Sequence, residues 1–192
     1  MDPFDKTQGR IIFEGTTEKG LPVVIRYITL DDAGRMQKYF NTISAEQTFI
    51  AFQGKTLSLE EEIKYLKPLI EKIQNNKAVG CLAFSGNELI AAAQLVMNFK
   101  EALNHEADFG ISVAKEYRGK GAGKILMQAV LEQALKNIPE LRIVTLGVFA
   151  TNDIAMNMYK KFGFVEFGRL PEGVLHRGNY IDHIYMYKRV RD

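Results

Sequence analysis

Residues 107–149 read as strand, helix and strand, and this succession constrains the fold more than any other feature. The stretch 107–114 is a strand and 115–120 a charged loop. The stretch 121–137 places Ala122, Ile125, Leu126, Ala129, Val130 and Ala134 at helical spacing. Pro139 ends that helix, because the residue before a proline is pushed out of the helical region. The run 142–149, Arg-Ile-Val-Thr-Leu-Gly-Val-Phe, is nearly all apolar and reads as a central strand covered on both faces. Such a unit crosses over right-handed and leaves its two strands parallel.

The remaining elements come as antiparallel neighbours. Strands are expected at 10–15 and 21–28, with a turn at 16–20. Asp31 can cap a helix running to Ile43, with Met36, Tyr39 and Phe40 on one face. Ser58 and Glu61 have capping-box spacing, and the helix they start carries Ile63, Leu66, Ile70 and Ile73. Pro68 predicts a kink or break near Lys67. Strands at 78–84 and 88–99 flank a Ser85-Gly86-Asn87 turn. Asn152 caps a short helix at 153–162 that Gly163 ends, and strands follow at 164–170 and 180–189. The fold class is therefore α/β, with a mixed, mostly antiparallel sheet and helices on both faces. One domain accounts for residues 1–192, with a core of 21–189 and a strand extension before it.

Composition narrows the class without naming a chemistry. Apolar residues make up 46 % and charged residues 25 %, as in ordinary globular domains. No apolar run reaches the roughly 20 residues that span a bilayer. The Met1-Asp2-Pro3-Phe4-Asp5 start has neither the basic nor the apolar region of a signal peptide. The expectation is a cytoplasmic protein without a membrane partner. A net charge of +2, from 25 basic and 23 acidic residues, argues against nucleic acid as a partner. Cys81 is the one cysteine and is read as core, and the three histidines show no metal-ligand spacing, so no metal is expected.

The chemistry is carried by the loop between the strand at 107–114 and its helix. Gly119, Gly121 and Gly123 let backbone N–H groups approach a ligand, and the helix start adds the positive end of its dipole. With Arg118, Lys120 and Lys124 this makes a pyrophosphate site. A P-loop would need Gly at 118 and Ser or Thr at 125, where Arg118 and Ile125 stand. A Rossmann fingerprint would need a third glycine at Lys124. The spacing present is Arg118-x-x-Gly121-x-Gly123.

That spacing resembles Q/R-x-x-G-x-G/A, the pyrophosphate motif of the GNAT superfamily of acyl-CoA N-acyltransferases. Asn152, Ala155, Tyr159 and the Lys161-Phe-Gly-Phe164 run resemble its second signature. The order of elements from residue 21 to 189 is similar as well. The resemblance implies acetyl-CoA as cosubstrate, held in a V between the 107–114 and 142–149 strands. Its pantetheine would lie along Ile111 and Val113, and its pyrophosphate on Arg118, Gly119, Lys120, Gly121, Ala122, Gly123 and Lys124. Asn152 would contact the pantetheine. Tyr159 is where the family often places the acid for the departing thiolate. A plain N-cap and a core tyrosine are the structural alternatives for these two. Backbone N–H groups near Val113 would stabilise the oxyanion.

An amine acceptor must be neutral to attack. An alkyl amine costs about 4.6 kcal/mol to deprotonate at neutral pH and an α-amino group about 1 kcal/mol. Asp108, Glu106 and His105 are the candidate bases, and alternation puts Asp108 and Glu106 on one face. Each is equally readable as a solvated strand-end charge. Glu46, Phe49, His176 and Tyr180 are candidates for the acceptor side, with Glu46 facing a cation or simply lying on a helix surface. Gly168-Arg169, Gly178, Tyr180 and Asp182 resemble a pattern of the small-amine, amino-acid and ribosomal-protein subgroups. It also suits strand pairing and homodimer contacts. The expected function is acetyl transfer to a primary amine of a small molecule or amino acid. The alternatives are a protein N-terminal or lysine acetyltransferase and a non-catalytic acyl-CoA sensor.

Overall fold

The computed structural model of the protein describes residues 9–191; residues 1–8, with the Met1–Asp5 start, and Asp192 lie outside the described residues. Eight strands form one sheet: β1 (Ile11–Thr16), β2 (Pro22–Tyr27), β3 (Ala78–Ser85), β4 (Glu88–Met97), β5 (Glu106–Val113), β6 (Ile143–Phe149), β7 (Val165–His176) and β8 (Asn179–Arg189). The helices are α1 (Ala33–Ala45), α2 (Leu59–Gln74), α3 (Ala122–Asn137) and α4 (Asp153–Lys161). Strand order is β1-β2-β3-β4-β5-β6-β8-β7. Among the described strands only β5 and β6 run parallel. They pair at Glu106↔Ile143, Ala107↔Val144 and Asp108↔Thr145 and then part. β5 stays paired with β4 as far as Val113, and β6 with β8 as far as Phe149. The gap between them is thus a V with two braced arms.

Strand alternation divides the V between two layers. Ala107, Phe109, Val144, Leu146 and Val148 are buried on the face covered by α3, which packs on β3, β4 and β5 through Leu126, Met127, Val130 and Ala134. Met158 of α4 lies beside Gly123 at the start of α3. The other face carries α1 and α2, buried through Met36, Tyr39 and Ile43, and through Leu66, Leu69 and Ile73. Cys81 is fully buried, and burial pushes its thiol pKa up, so it is core and not a nucleophile.

Several expectations change. Strand β6 is not covered on both faces: Ile143, Thr145, Gly147 and Phe149 face a partly open side. α2 runs unbroken through Pro68, because Leu66 and Leu69 on either side hold it to the core. Its buried stripe is Glu62, Leu66, Leu69 and Ile73, with Ile63 and Ile70 only half-buried. Asp31 is exposed and caps nothing; a Thr29–Asp32 capping box starts the turn that leads into α1. β7 does not end at 170 but continues to His176 through an irregularity between Leu170 and Val174.

Candidate active site

The loop 118–121 carries the chain from β5 into α3. Gly121 caps the helix at φ 89° without any side-chain hydrogen bond, so the first-turn N–H groups stay open to the groove. A Cβ placed on Gly119 would meet nothing, which leaves room for a phosphate-sized group. The turn between β1 and β2 braces this loop. Thr17, buried, donates from Oγ1 to the Lys120 carbonyl at 2.8 Å. Lys19 Nζ donates to the Gly119 carbonyl at 2.6 Å, and Lys124 pairs with Glu18 at 2.5 Å. Nothing in the local pattern of residues 16–20 announced this role, since the contact spans about a hundred positions. A Cβ on Gly121 would lie 3.1 Å from Thr17 Cβ and force a side chain into left-handed backbone. Gly121→Ala is therefore expected to cost about 1–2 kcal/mol at the loop and to raise KM for acetyl-CoA about tenfold. Isothermal titration with CoA would read the same loss.

Arg118 points away from the loop. Its Nε donates to the Val113 carbonyl at 2.9 Å and its Nη2 to Glu46 at 2.6 Å. Glu46, expected to face a cationic acceptor, is held by Arg118, and Arg118 ties the end of β5 to the end of α1. Asn152 accepts from the Ala155 N–H at 3.2 Å, the N-cap expected for it. Tyr159 is 6 % exposed with its ring beside Phe164, and its hydroxyl has no protein partner among the described residues. Burial pushes its pKa up to about 12.

The opposite face forms a cleft of about 540 Å³ beside the closed end of the V. Glu106 and Asp108 line it together with Thr145, Gln94, Tyr65 and Lys72. Desolvation raises the Asp108 carboxyl above its ordinary value. The Tyr65 hydroxyl donates to Gln94. Tyr39 and Ser112 share a hydrogen bond of 3.1 Å farther along β5. His105 lies beside Glu106 at 3.9 Å, outside the cleft lining. One residue here escaped the sequence reading. Glu62 shares the α2 stripe of Tyr65, Leu69 and Lys72, is 2 % exposed, and its Oε1 has no partner. Desolvation raises its pKa, so its charge costs stability once pH exceeds the ordinary carboxylate value. Glu62→Met is expected to stabilise the fold by roughly 1–3 kcal/mol at neutral pH, with the gain vanishing below about pH 4. Urea midpoints at the two pH values check this.

Beyond Thr145 the same face of β6 continues through Gly147 to Phe149. Phe149 meets Phe49 at 6.0 Å and His176 at 5.4 Å, and Phe49 meets His176 at 4.9 Å. The β7–β8 hairpin tip docks on the segment after α1. His176 Nε2 shares a hydrogen bond of 2.9 Å with the Gln47 carbonyl, and Arg177 donates to the Gln47 and Glu46 carbonyls. Tyr180 stands 68 % exposed outside this cluster. Asp182 pairs across the strands with Arg169 at 3.1 Å, so those two members of the Gly-Arg pattern serve strand pairing. Among the described residues no group of three or more His, Cys, Asp or Glu is placed to hold a metal ion, and no helix is long and apolar enough to cross a membrane.

An open helix start at the head of a V between parallel strands is the geometry expected of an acyl-CoA groove. The profile of the acetyltransferase (GNAT) family matches residues 41–164. The chain belongs to the GNAT acetyltransferase family. GNAT relatives include the L-amino acid N-acetyltransferase AaaT of Escherichia coli, 35 % identical over 83 residues, which are 43 % of this chain and 51 % of that protein. The spermidine N(1)-acetyltransferase of Vibrio cholerae is 34 % identical over 85 residues, 44 % of this chain and 49 % of that one. The match thus spans about half the length of these curated relatives. The structure of a GNAT acetyltransferase from Streptococcus pneumoniae superposes with a TM-score of 0.80 at 25 % identity, covering 88 % of this chain and 99 % of that one. The first-turn N–H groups of α3 and the β5 edge left unpaired toward β6 present open backbone groups to the gap of the V.

Proposed function

We propose that this GNAT protein transfers the acetyl group of acetyl-CoA directly to a primary amine of a small molecule or amino acid. The observation that carries the reading is the roof over the acceptor face. His176 and Arg177 reach across to the Glu46–Gln47 segment, so the acceptor would enter a covered space rather than lie along an open groove. Apart from that roof, the cleft of about 540 Å³ beside Glu106 and Asp108 has a volume that suits a small ligand. The relatives named for L-amino acids and spermidine support the same class.

In this reading the loop N–H groups and the α3 dipole hold the pyrophosphate, with Lys120 adding positive charge and Lys124, paired with Glu18, beside them. Ile111 and Val113 offer backbone to the pantetheine; the Val113 carbonyl is already taken by Arg118, so its N–H is the group that remains. Asn152 keeps its amide N–H groups for the same arm. Glu106 and Asp108 lie where β5 is still paired with β6, one strand position before the V opens. That place suits gripping the acceptor's ammonium more than reaching its reacting nitrogen. Phe49 and His176 close the far wall. Exposed Val165, Phe167, Leu170 and Leu175 on the edge strand β7 suit a homodimer contact, which the molar mass in solution would test. The acceptor itself is tested by incubating the protein with isotope-labelled acetyl-CoA and a metabolite extract. Mass spectrometry should find label on a low-mass amine; label only on protein would overturn the reading.

A further inference from the structure

We propose that His183 is the general base that takes the proton from the acceptor amine. This rests on the acetyltransferase reading of the site and adds a residue to it. Three features of the fold converge on this one imidazole. A Cβ at Gly147 would collide with His183 Nε2, so the ring occupies the space a side chain at 147 would fill. A Cβ at Gly173 would come 2.9 Å from His183 Cβ on the other side. Strand β7 bulges at 171–173, between the Leu170↔His183 and Val174↔Ile181 pairs, with Glu172 at φ 54°. Bulges of this kind re-aim side chains near active sites. A side chain at 147 would evict the ring, and one at 173 would press on the His183 Cβ.

The slot places the ring at the V. Gly147 is two residues past Thr145, the last position of β6 paired with β5, and Gly110 lies across the gap with open space over it. The ring shares the acceptor face with Phe149, 6.4 Å away, and Tyr185, 4.5 Å away. Among the described residues neither ring nitrogen has a hydrogen-bond partner, and neither is sealed from solvent. The titratable groups around it are Tyr185 on its own strand and His176 beyond the Phe149 ring; Asp182 is engaged by Arg169 and by the Glu172 N–H. Burial lowers the His183 pKa below 6.5, which leaves the ring neutral and able to accept a proton at neutral pH.

In the step, the amine nitrogen forms a bond to the thioester carbonyl carbon and the carbonyl π electrons move to oxygen. The proton lost from that nitrogen goes to the His183 imidazole. The electrons return from oxygen, the C–S bond breaks, and the thiolate of CoA leaves and acquires a proton. His183 then returns its proton to water. Amine and acetyl-CoA become amide and CoA, with no other reactant.

The test is His183→Ala with an alkyl amine as acceptor, with His183→Gln as a variant that refills the slot. Loss of a general base is expected to lower kcat by about 10²–10⁴-fold in both, with CoA affinity unchanged by titration. Added imidazole should restore turnover in His183→Ala and not in His183→Gln. Full turnover in either variant, or a loss in His183→Ala that imidazole leaves untouched, overturns the assignment of the base while the acetyltransferase reading stands. A wild-type protein that acetylates no amine removes both.

Discussion

Tyr159→Phe is expected to lower kcat by about 10²–10³-fold while leaving KM for acetyl-CoA nearly unchanged. The ring is buried and would keep its packing against Phe164 as a phenylalanine. What disappears is one hydroxyl with no protein partner, on the helix that directly follows β6. With its pKa pushed up to about 12, full proton transfer to a thiolate near 8.5 would be uphill by about 5 kcal/mol. Under the proposed function the hydroxyl would instead act as a donor to developing negative charge on sulfur, an interaction made only as the C–S bond breaks. Steady-state kinetics with a single good acceptor separates the two parameters. An unchanged kcat would return Tyr159 to a purely structural place in the core.

Asp32→Ala should destabilise the fold by about 3–5 kcal/mol, the largest stability loss expected of a polar substitution here. Asp32 is 1 % exposed and accepts from both Arg26 Nη atoms, at 2.6 and 2.7 Å, and from the Thr29 N–H at 2.9 Å. Arg26 also lies over the Phe84 ring and is itself largely buried, so its charge would be stranded. Burial alone would raise the Asp32 pKa, but the Arg26 hydrogen bonds and the Thr29 N–H hold it below its ordinary value. The stabilisation is thus fully present above the unfolded carboxylate pKa of about 3.9 and is lost as pH falls through the lower folded value. Denaturant unfolding should show a wide gap between wild type and variant at neutral pH that narrows as the solution becomes strongly acid.

The sequence was most legible where a short local pattern decides the structure. The Ser58–Glu61 box starts α2, Asn152 caps α4, and the glycine spacing after β5 marks the start of α3. It was less legible where contacts distant in sequence decide. Thr17 and Lys19 are ordinary turn residues until the fold brings them to Gly119 and Lys120. Pro68 reads as a breaker because nothing nearby shows that Leu66 and Leu69 anchor the helix on both sides of it. The 142–149 run is apolar enough for a strand covered on both faces, yet one face lines the V. Pro171, Glu172 and Gly173 have loop composition, and they form a bulge inside a strand because β8 continues to pair on either side. Charge settings were hidden for the same reason: Glu46, readable as facing a cation or as lying on a helix surface, is paired with Arg118, and Glu62 carries no local sign that it is buried with its Oε1 unpartnered. His183 carries no motif; its setting exists only after Gly147 and Gly173 come together around it.

The most direct measurement is release of free CoA from acetyl-CoA, followed with a panel of low-mass primary amines beside peptides with free N-termini. The docking of His176 and Arg177 across the acceptor side predicts saturable release with at least one low-mass amine and little with the peptides. Release with peptides alone, or none with any amine despite CoA binding, would contradict the account.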